Sequence, residues 1–217
     1  MWVIRRRLGS CVPVSVLLAA ALMVSVAHAE EPGVRHLRPP PRPSEIPPKL
    51  ALEVHVNAAG PVNNDSLCPE EASCVFGGGG GVGATLERRK PTGLGWFGGY
   101  DAGFLDSASV FELGVQQTLR FGVRFTMPNE ILAHPVMEFS IGAMALGDTF
   151  RLSTVGALAQ AMIGAELEVT EHIAIVGGFL LRAFTATRFT SSRDSVSRAE
   201  QGLLSQAMAF QIGLSAL

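Results

Sequence analysis

Hydrophobic and polar residues alternate one by one along much of the chain from residue 49 onward. The clearest stretch runs from Phe111 to Phe125, where Phe, Leu and Val occupy one set of alternate positions and polar residues the other, with Gln117 as the exception. Successive side chains of a β-strand point to opposite faces, whereas a helix would scatter both sets around its circumference. This stretch therefore predicts a strand with one apolar face.

The same alternation recurs in seven other stretches, so the sequence predicts eight strands. The stretch from Ile173 to Thr187 is apolar on both faces and has the least distinct pattern. The remaining stretches lie at about residues 50–57, 82–87, 94–104, 137–141, 155–168 and 205–215.

Two charge-free segments, Leu152–Ala165 and Gln201–Leu217, have a composition that also suits a helix. A membrane-spanning helix needs roughly 20 consecutive apolar residues, and neither segment reaches that length. Their polar residues also fall at even separations, which favours strands.

The polarity of the two strand faces indicates whether the predicted strands are surrounded by water or by lipid. Only 17% of the residues are charged, 24 are glycine, and the mean hydropathy is +0.31. A water-soluble barrel would place its apolar face inside and its charges outside, and its mean hydropathy should be negative. Lipid around the barrel explains the apolar face, with the polar face turned to the lumen. We therefore predict an all-β fold, an eight-stranded antiparallel up-and-down transmembrane β-barrel at residues 49–217.

The charged residues of the polar face are predicted to form ion pairs inside the barrel. An eight-stranded barrel has an interior just wide enough to be filled by side chains. An unpaired ion there costs several kcal/mol, and inward glycines would make room for long charged side chains. The lumen is therefore expected to be plugged. The predicted lumen charge network comprises Glu53, Glu87, Asp101, Glu112, Arg120, Arg124, Glu138, Glu166 and Glu168.

The connections between the strands give an independent check on their number. An even number of strands puts both ends of the barrel on one side, which in an outer membrane is the periplasm. The two longest connections then both lie outside, as outer-membrane barrels require. The periplasmic turns are predicted at about 88–92, 126–133 and 169–171, and the outer loops at about 58–73, 105–108, 148–153 and 188–202.

The N-terminal region has the pattern of an exported protein. Residues 1–29 combine Arg5, Arg6 and Arg7, an apolar stretch, and an Ala27-His28-Ala29 cleavage site, which is typical of a signal peptide. Residues 30–48 hold seven of the 13 prolines and predict a disordered, extended periplasmic tail.

The net charge argues against nucleic-acid binding, and the cysteines favour a disulfide over a metal site. The whole chain has a net charge of −2, and loss of residues 1–29 leaves 14 basic against 19 acidic residues, or −5. A protein of this charge has no basic field for nucleic acid. In an exported chain, Cys68 and Cys74 predict a disulfide, and the spacing of the histidines does not suggest a metal site.

No sequence motif strongly indicates catalysis or cofactor binding. Gly78-x-Gly80-x-x-Gly83 matches a dinucleotide fingerprint literally, but the required helix does not follow it. A lipid-modifying hydrolase would need a serine, a histidine and an acid within reach of one another, and His55 is the candidate base. We expect no enzyme activity and no cofactor. The alternatives are a small solute channel and, less favoured, a lipid-modifying enzyme.

Over residues 49–217 the pattern resembles the small outer-membrane β-barrels of Gram-negative bacteria, the OmpA/OmpX/OmpW-like group. The run from Gly93 to Tyr100 also resembles uncharacterised outer-membrane proteins of delta-type bacteria. The resemblance implies a monomer in outer-membrane lipid, inserted by the barrel-assembly machinery, with a structural or surface-contact role. Such barrels usually end in an outward Phe, whereas here the outward positions end at Leu214 or Ala216.

Overall fold

The computed structural model describes residues 47–63, 67–68, 73–107, 110–128, 131–149, 151–190, 195–199 and 204–216. The predicted signal peptide, nearly all of the predicted tail and Leu217 lie outside these residues. Among the described residues, no helix is long and apolar enough to cross a membrane.

Eight long strands form one closed antiparallel barrel, which confirms the predicted fold class. Each predicted strand is present, and neighbours in the barrel follow the order β1-β10-β7-β6-β5-β4-β3-β2. A separate pair, β8 and β9, lies in the connection between β7 and β10. The strands are β1 (Lys49–Asn63), β2 (Gly79–Arg89), β3 (Leu94–Leu105), β4 (Gly114–Thr126), β5 (Ala133–Asp148), β6 (Arg151–Thr170), β7 (Ile173–Phe184), β8 (Phe189–Thr190), β9 (Ser197–Arg198) and β10 (Ser205–Ala216).

The up-and-down connectivity gives the barrel two different ends. At one end, here called the terminal end, β1 begins, β10 ends and the connections at 90–93, 127–132 and 171–172 are short. At the other, the loop end, lie the connections at 64–78, 106–113, 149–150 and 185–204. The two longest connections are therefore on the same side, as the sequence predicts.

The strands alternate between an exposed apolar face and a buried inner face. In β10, for example, Met208, Phe210, Ile212 and Leu214 are all about half exposed, whereas the positions between them are buried. The outward Gln117 breaks the apolar pattern of β4, but its Oε1 accepts a hydrogen bond of 3.0 Å from the Tyr100 hydroxyl on β3. An amide on the outer face is thus paired within the protein.

The start of β4 differs from the sequence prediction. The strand begins at Gly114, so Phe111 and Leu113 precede it and do not extend its outer face. Phe111 is instead 5% exposed and stacks on Phe189, with the ring centroids 6.4 Å apart. The chain turns here because Leu113 pairs with the β5–β6 hairpin, where its amide donates to Asp148 Oδ1 at 3.0 Å.

The third outer loop is also shorter than the predicted 148–153. β5 continues to Asp148 and β6 starts at Arg151, and these two residues pair across the hairpin. Thr149 has a φ of 48°, the left-handed conformation that a tight turn requires.

Buried apolar side chains close the loop end of the barrel. We call this cluster the apolar cap; it combines strand residues with residues from the long connections. The Cys68–Cys74 disulfide is present, as predicted, and Cys68 packs against the cap. The cap comprises Leu67, Val75, Phe76, Val110, Phe111, Met144, Leu146, Leu158, Phe184, Ala186, Phe189, Ala199 and Ala207.

The two apolar faces of β7 have a structural explanation. Its outward residues include the exposed Phe179, whereas the inward Val176 and Leu180 join a second buried apolar cluster with Val136 and Met162. Part of the interior beside β5, β6 and β7 is therefore lined by apolar side chains.

Candidate functional site in the barrel interior

Arg124, on the inner face of β4, is the centre of the charged interior. Its side chain is fully buried, and Glu138 faces it directly across the β4–β5 ladder. Arg124 Nη1 lies 2.6 Å from Glu53 Oε2 and 3.2 Å from Glu87 Oε2, while Nη2 lies 2.8 Å from Glu138 Oε2. One guanidinium therefore connects carboxylates from three strands.

Arg120 lies four residues before Arg124 on the same inner face of β4 and binds a second set of partners. Its Nε donates to Asp101 Oδ2 at 3.0 Å, Nη2 donates to Thr85 Oγ1 at 3.0 Å, and Nη1 pairs with Glu138. The Phe97 ring contacts both guanidiniums, whose central carbons lie 5.2 Å (Arg120) and 5.7 Å (Arg124) from its centroid. Cation–π contact adds to the ion pairs in holding both arginines in place.

His55 contacts two carboxylates because a glycine separates it from one of them. Its Nε2 is 2.7 Å from Asp101 Oδ1, and its Nδ1 is 3.4 Å from Glu53 Oε1. Gly83 pairs with His55 on one side and with Asp101 on the other. A Cβ at Gly83 would overlap both side chains, so the absence of a side chain allows this contact.

Arg89, which the sequence analysis missed, connects two acids near the terminal end. Its Nε is 2.9 Å from Glu87 Oε1, and its Nη1 is 2.6 Å from Glu166 Oε1. Arg89 and Arg124 both pair with Gly95, and a Cβ there would overlap the Glu87 carboxylate that joins them. The inward parity of Arg89 on β2 was the available signal, but the residue lies in a basic run predicted as a turn.

Arg182 on β7 is a second buried cation that the pattern did not reveal. Its Nε donates to Gln160 Oε1 at 2.8 Å, and Nη2 has no hydrogen-bond partner among the described residues. A cavity of about 10 Å³ adjoins Arg182, Asp101, Gln116 and Thr118. A space of that size with polar walls suits a single water molecule, which would satisfy the guanidinium.

The structure brings seven of the nine predicted network residues into the interior and leaves two outside it. Glu112 is exposed in the connection before β4, because the strand starts at Gly114, three residues later than predicted. Glu168 lies near the terminal end of β6, where its side chain is 49% exposed and 3.5 Å from His134 Nε2. We call the inner set the charged layer; it comprises Glu53, His55, Glu87, Arg89, Asp101, Arg120, Arg124, Glu138 and Glu166.

The geometry of the charged layer suits cross-linking of strands better than catalysis. His55 is 1% exposed, and both of its ring nitrogens face carboxylates. A general base must reach a substrate, and a histidine enclosed in this way offers no such approach. The layer instead joins β1, β2, β3, β4, β5 and β6 through side chains.

Eight antiparallel strands closed into a barrel, with an apolar exterior and a charged, filled interior, form the fold of small outer-membrane barrels. Among solved structures, the chain is similar to Neisserial surface protein A (NspA), with a TM-score of 0.55 and 9% sequence identity over 77% of this chain and 96% of that one. It is also similar to the outer membrane protein OprG from Pseudomonas aeruginosa, with a TM-score of 0.51 and 8% identity over 78% of this chain and 95% of that one. At these identities the likeness shows the fold. No family model and no curated protein matches the sequence.

Proposed function

We propose that this protein is a non-enzymatic, monomeric barrel of a Gram-negative outer membrane with a structural or surface-contact role. The observation that carries the proposal is the belt of exposed apolar side chains on every barrel strand. A water-soluble monomer rarely exposes so continuous an apolar surface, whereas lipid is its natural solvent. The belt includes Leu52, Val82, Trp96, Phe121, Ile141, Ile163, Phe179 and Ile212, which are 46–66% exposed.

The filled interior supports a structural role over transport. The charged layer occupies the lumen beside β1–β6, and the apolar cap closes the loop end. The cavity at Arg182 has room for about one water molecule and not for a solute.

Contacts between the two longest connections support a surface-contact role. Arg198, in the last connection, donates from Nη2 to the Ser73 carbonyl in the first at 2.9 Å. Phe76, in the first connection, also packs on Phe184, the last residue of β7, with the ring centroids 5.5 Å apart. We infer that the loop end is a fixed outer surface, with the N-terminal tail in the periplasm and insertion carried out by the barrel-assembly machinery.

Cell fractionation and gel migration test the membrane assignment. The folded protein should be recovered with outer membranes and should change its migration in detergent gels after boiling. Recovery as a soluble periplasmic monomer would contradict the proposal.

The orientation can be tested with the lysines, because the chain contains two, Lys49 and Lys90, and both are exposed at the terminal end. A membrane-impermeant amine reagent should modify neither lysine in intact cells and both after the outer membrane is permeabilised. The control is Ser153→Lys, at an exposed position near the loop end, which should react in intact cells. Labelling of Lys49 in intact cells would reverse the proposed orientation.

A further inference from the structure

An apolar groove crosses the outer face of β2, β3 and β4 towards the terminal end. It encloses about 540 Å³ and lies over Gly98, an outward position on β3 without a side chain. Its walls include the outward side chains of Leu86, Trp96, Phe121 and Ile141. The smooth apolar belt is therefore interrupted at this place by a depression with apolar walls.

The register of the sheet explains the depression. Gly98 pairs with Leu86 on one side and with Phe121 on the other, so two large side chains flank an empty position. A Cβ at Gly98 would lie 3.3 Å from the Phe121 ring. At the outward Gly177 on β7, by contrast, the nearest atom to an added Cβ is 3.8 Å away and belongs to the backbone.

A positive charge marks the end of the groove nearest the terminal end. Arg88 lines the groove, is exposed on the outer face, and lies between Leu50 and Trp96 in the register. The neighbouring Glu87 points into the barrel, where it is 1% exposed, so its carboxylate does not face the groove.

We propose that this groove binds one anionic phospholipid, with its phosphate on Arg88 and an acyl chain lying over Gly98. The proposal rests on the proposed function, since it requires the belt to lie in a bilayer. A lipid in the leaflet at the terminal end has its headgroup at the membrane boundary and its acyl chains directed towards the bilayer midplane. The groove matches this arrangement, because Arg88 lies at its terminal end and apolar side chains line the rest. Basic groups at a membrane boundary favour anionic over zwitterionic headgroups.

Trp96 provides the probe, because it lies in the groove and is 62% exposed. The chain has two tryptophans, so the full-length Trp2→Phe protein leaves Trp96 as the single tryptophan. The protein is inserted into phosphatidylcholine vesicles containing brominated phosphatidylglycerol or brominated phosphatidylcholine, whose bromines quench tryptophan on contact. We expect phosphatidylglycerol to bind beside Trp96 about fivefold more strongly than phosphatidylcholine, as one basic side chain near a membrane surface implies.

Two variants test separately the contribution of the positive charge and that of the apolar depression. Arg88→Gln should reduce the preference for phosphatidylglycerol to about onefold, because the cation that selects the anionic lipid is lost. Gly98→Val should reduce quenching by brominated chains, because its side chain fills the depression, whereas Gly177→Val should leave quenching unchanged. Heat-dependent gel migration checks that each variant is folded.

Failure of this proposal is distinguishable from failure of the proposed function. Quenching by brominated phosphatidylcholine with no preference for phosphatidylglycerol, or a preference that survives in Arg88→Gln, would overturn the lipid site and leave the barrel in the membrane. Absence of quenching by either lipid in the folded protein would overturn both.

Discussion

The two parts of the barrel interior are filled by opposite kinds of side chain. In the charged layer, Arg120 and Arg124 on β4 bind acids from neighbouring strands, and all partners come from regular strands. In the apolar cap, strand residues such as Phe184 meet residues of the long connections such as Phe76 and Phe189. The first part depends on pairing of charges, whereas the second resembles the core of a water-soluble protein.

This difference shows where the barrel depends on its loops. The charged layer is complete without any loop residue, so it can hold the strands together near the terminal end. The cap exists only when the first and last connections fold over the barrel mouth. We therefore expect changes in the charged layer to affect the whole barrel and changes in the cap to act mainly at the loop end.

Arg124→Met should have the largest effect on stability. It leaves the carboxylates of Glu53, Glu87 and Glu138 buried beside one another, and breaking a buried ion pair in this way costs about 3–5 kcal/mol. Unfolding by urea in lipid vesicles measures the loss. Arg151→Met, at an exposed position, is the control and should change stability by less than about 0.5 kcal/mol. Equal losses in the two variants would show that the layer contributes nothing.

Phe184→Ala should cost about 3 kcal/mol, because it leaves a cavity in the cap beside Phe76. The difference from Arg124→Met lies in the location of the effect. Amide hydrogen exchange should accelerate in residues 185–190 and stay unchanged in residues 120–126. Acceleration spread evenly over both segments would contradict a separate cap.

Replacement of both Cys68 and Cys74 by serine should have a smaller effect. The bridge closes a short loop, for which the chain-entropy account gives about 2 kcal/mol. The loss should appear as faster exchange in the cap, near Val75 and Phe76. An unchanged cap with a destabilised charged layer would be the opposite of the expected result.

Arg89→Gln should have the smallest effect, about 1 kcal/mol, since the guanidinium is partly accessible to solvent and water can replace some of its hydrogen bonds. Its side chain is 12% exposed, whereas that of Arg124 is fully buried. Urea unfolding of both variants under the same conditions compares the rim with the centre of the layer. A loss as large as that of Arg124→Met would mean that burial does not set the cost.

Alternation of polarity was enough to predict the barrel, because the exchange of apolar and polar positions every second residue has one structural meaning in strands. It placed Arg120, Arg124 and Glu138 correctly on inner faces. It could not place Glu112, because the alternation continues through residues that precede β4 and turn away from it. Strand ends depend on loop contacts such as that between Leu113 and Asp148, which no local pattern encodes.

The apolar cap could not be predicted from the sequence, because it also depends on contacts between distant segments. Phe76 and Phe189 are far apart along the chain, and their neighbours show no periodicity that would bring them together. The inward apolar residues of β7 were the one available sign of an apolar interior, since a strand that is apolar on both faces contacts lipid on one side and a core on the other. Of these residues Phe184 joins the cap, whereas Val176 and Leu180 join the second cluster. The inward position of Arg89 was not predicted, because a basic run beside Pro91 also has the composition of a turn.

Ion conductance across a planar bilayer tests most directly the claim that the charged layer and the cap together close the lumen. The measurement uses protein that has passed the gel-migration check for folding. The bilayer should stay silent after insertion, since the side chains of both parts leave no continuous water path. Steady conductance steps from the folded, unmodified protein would contradict it.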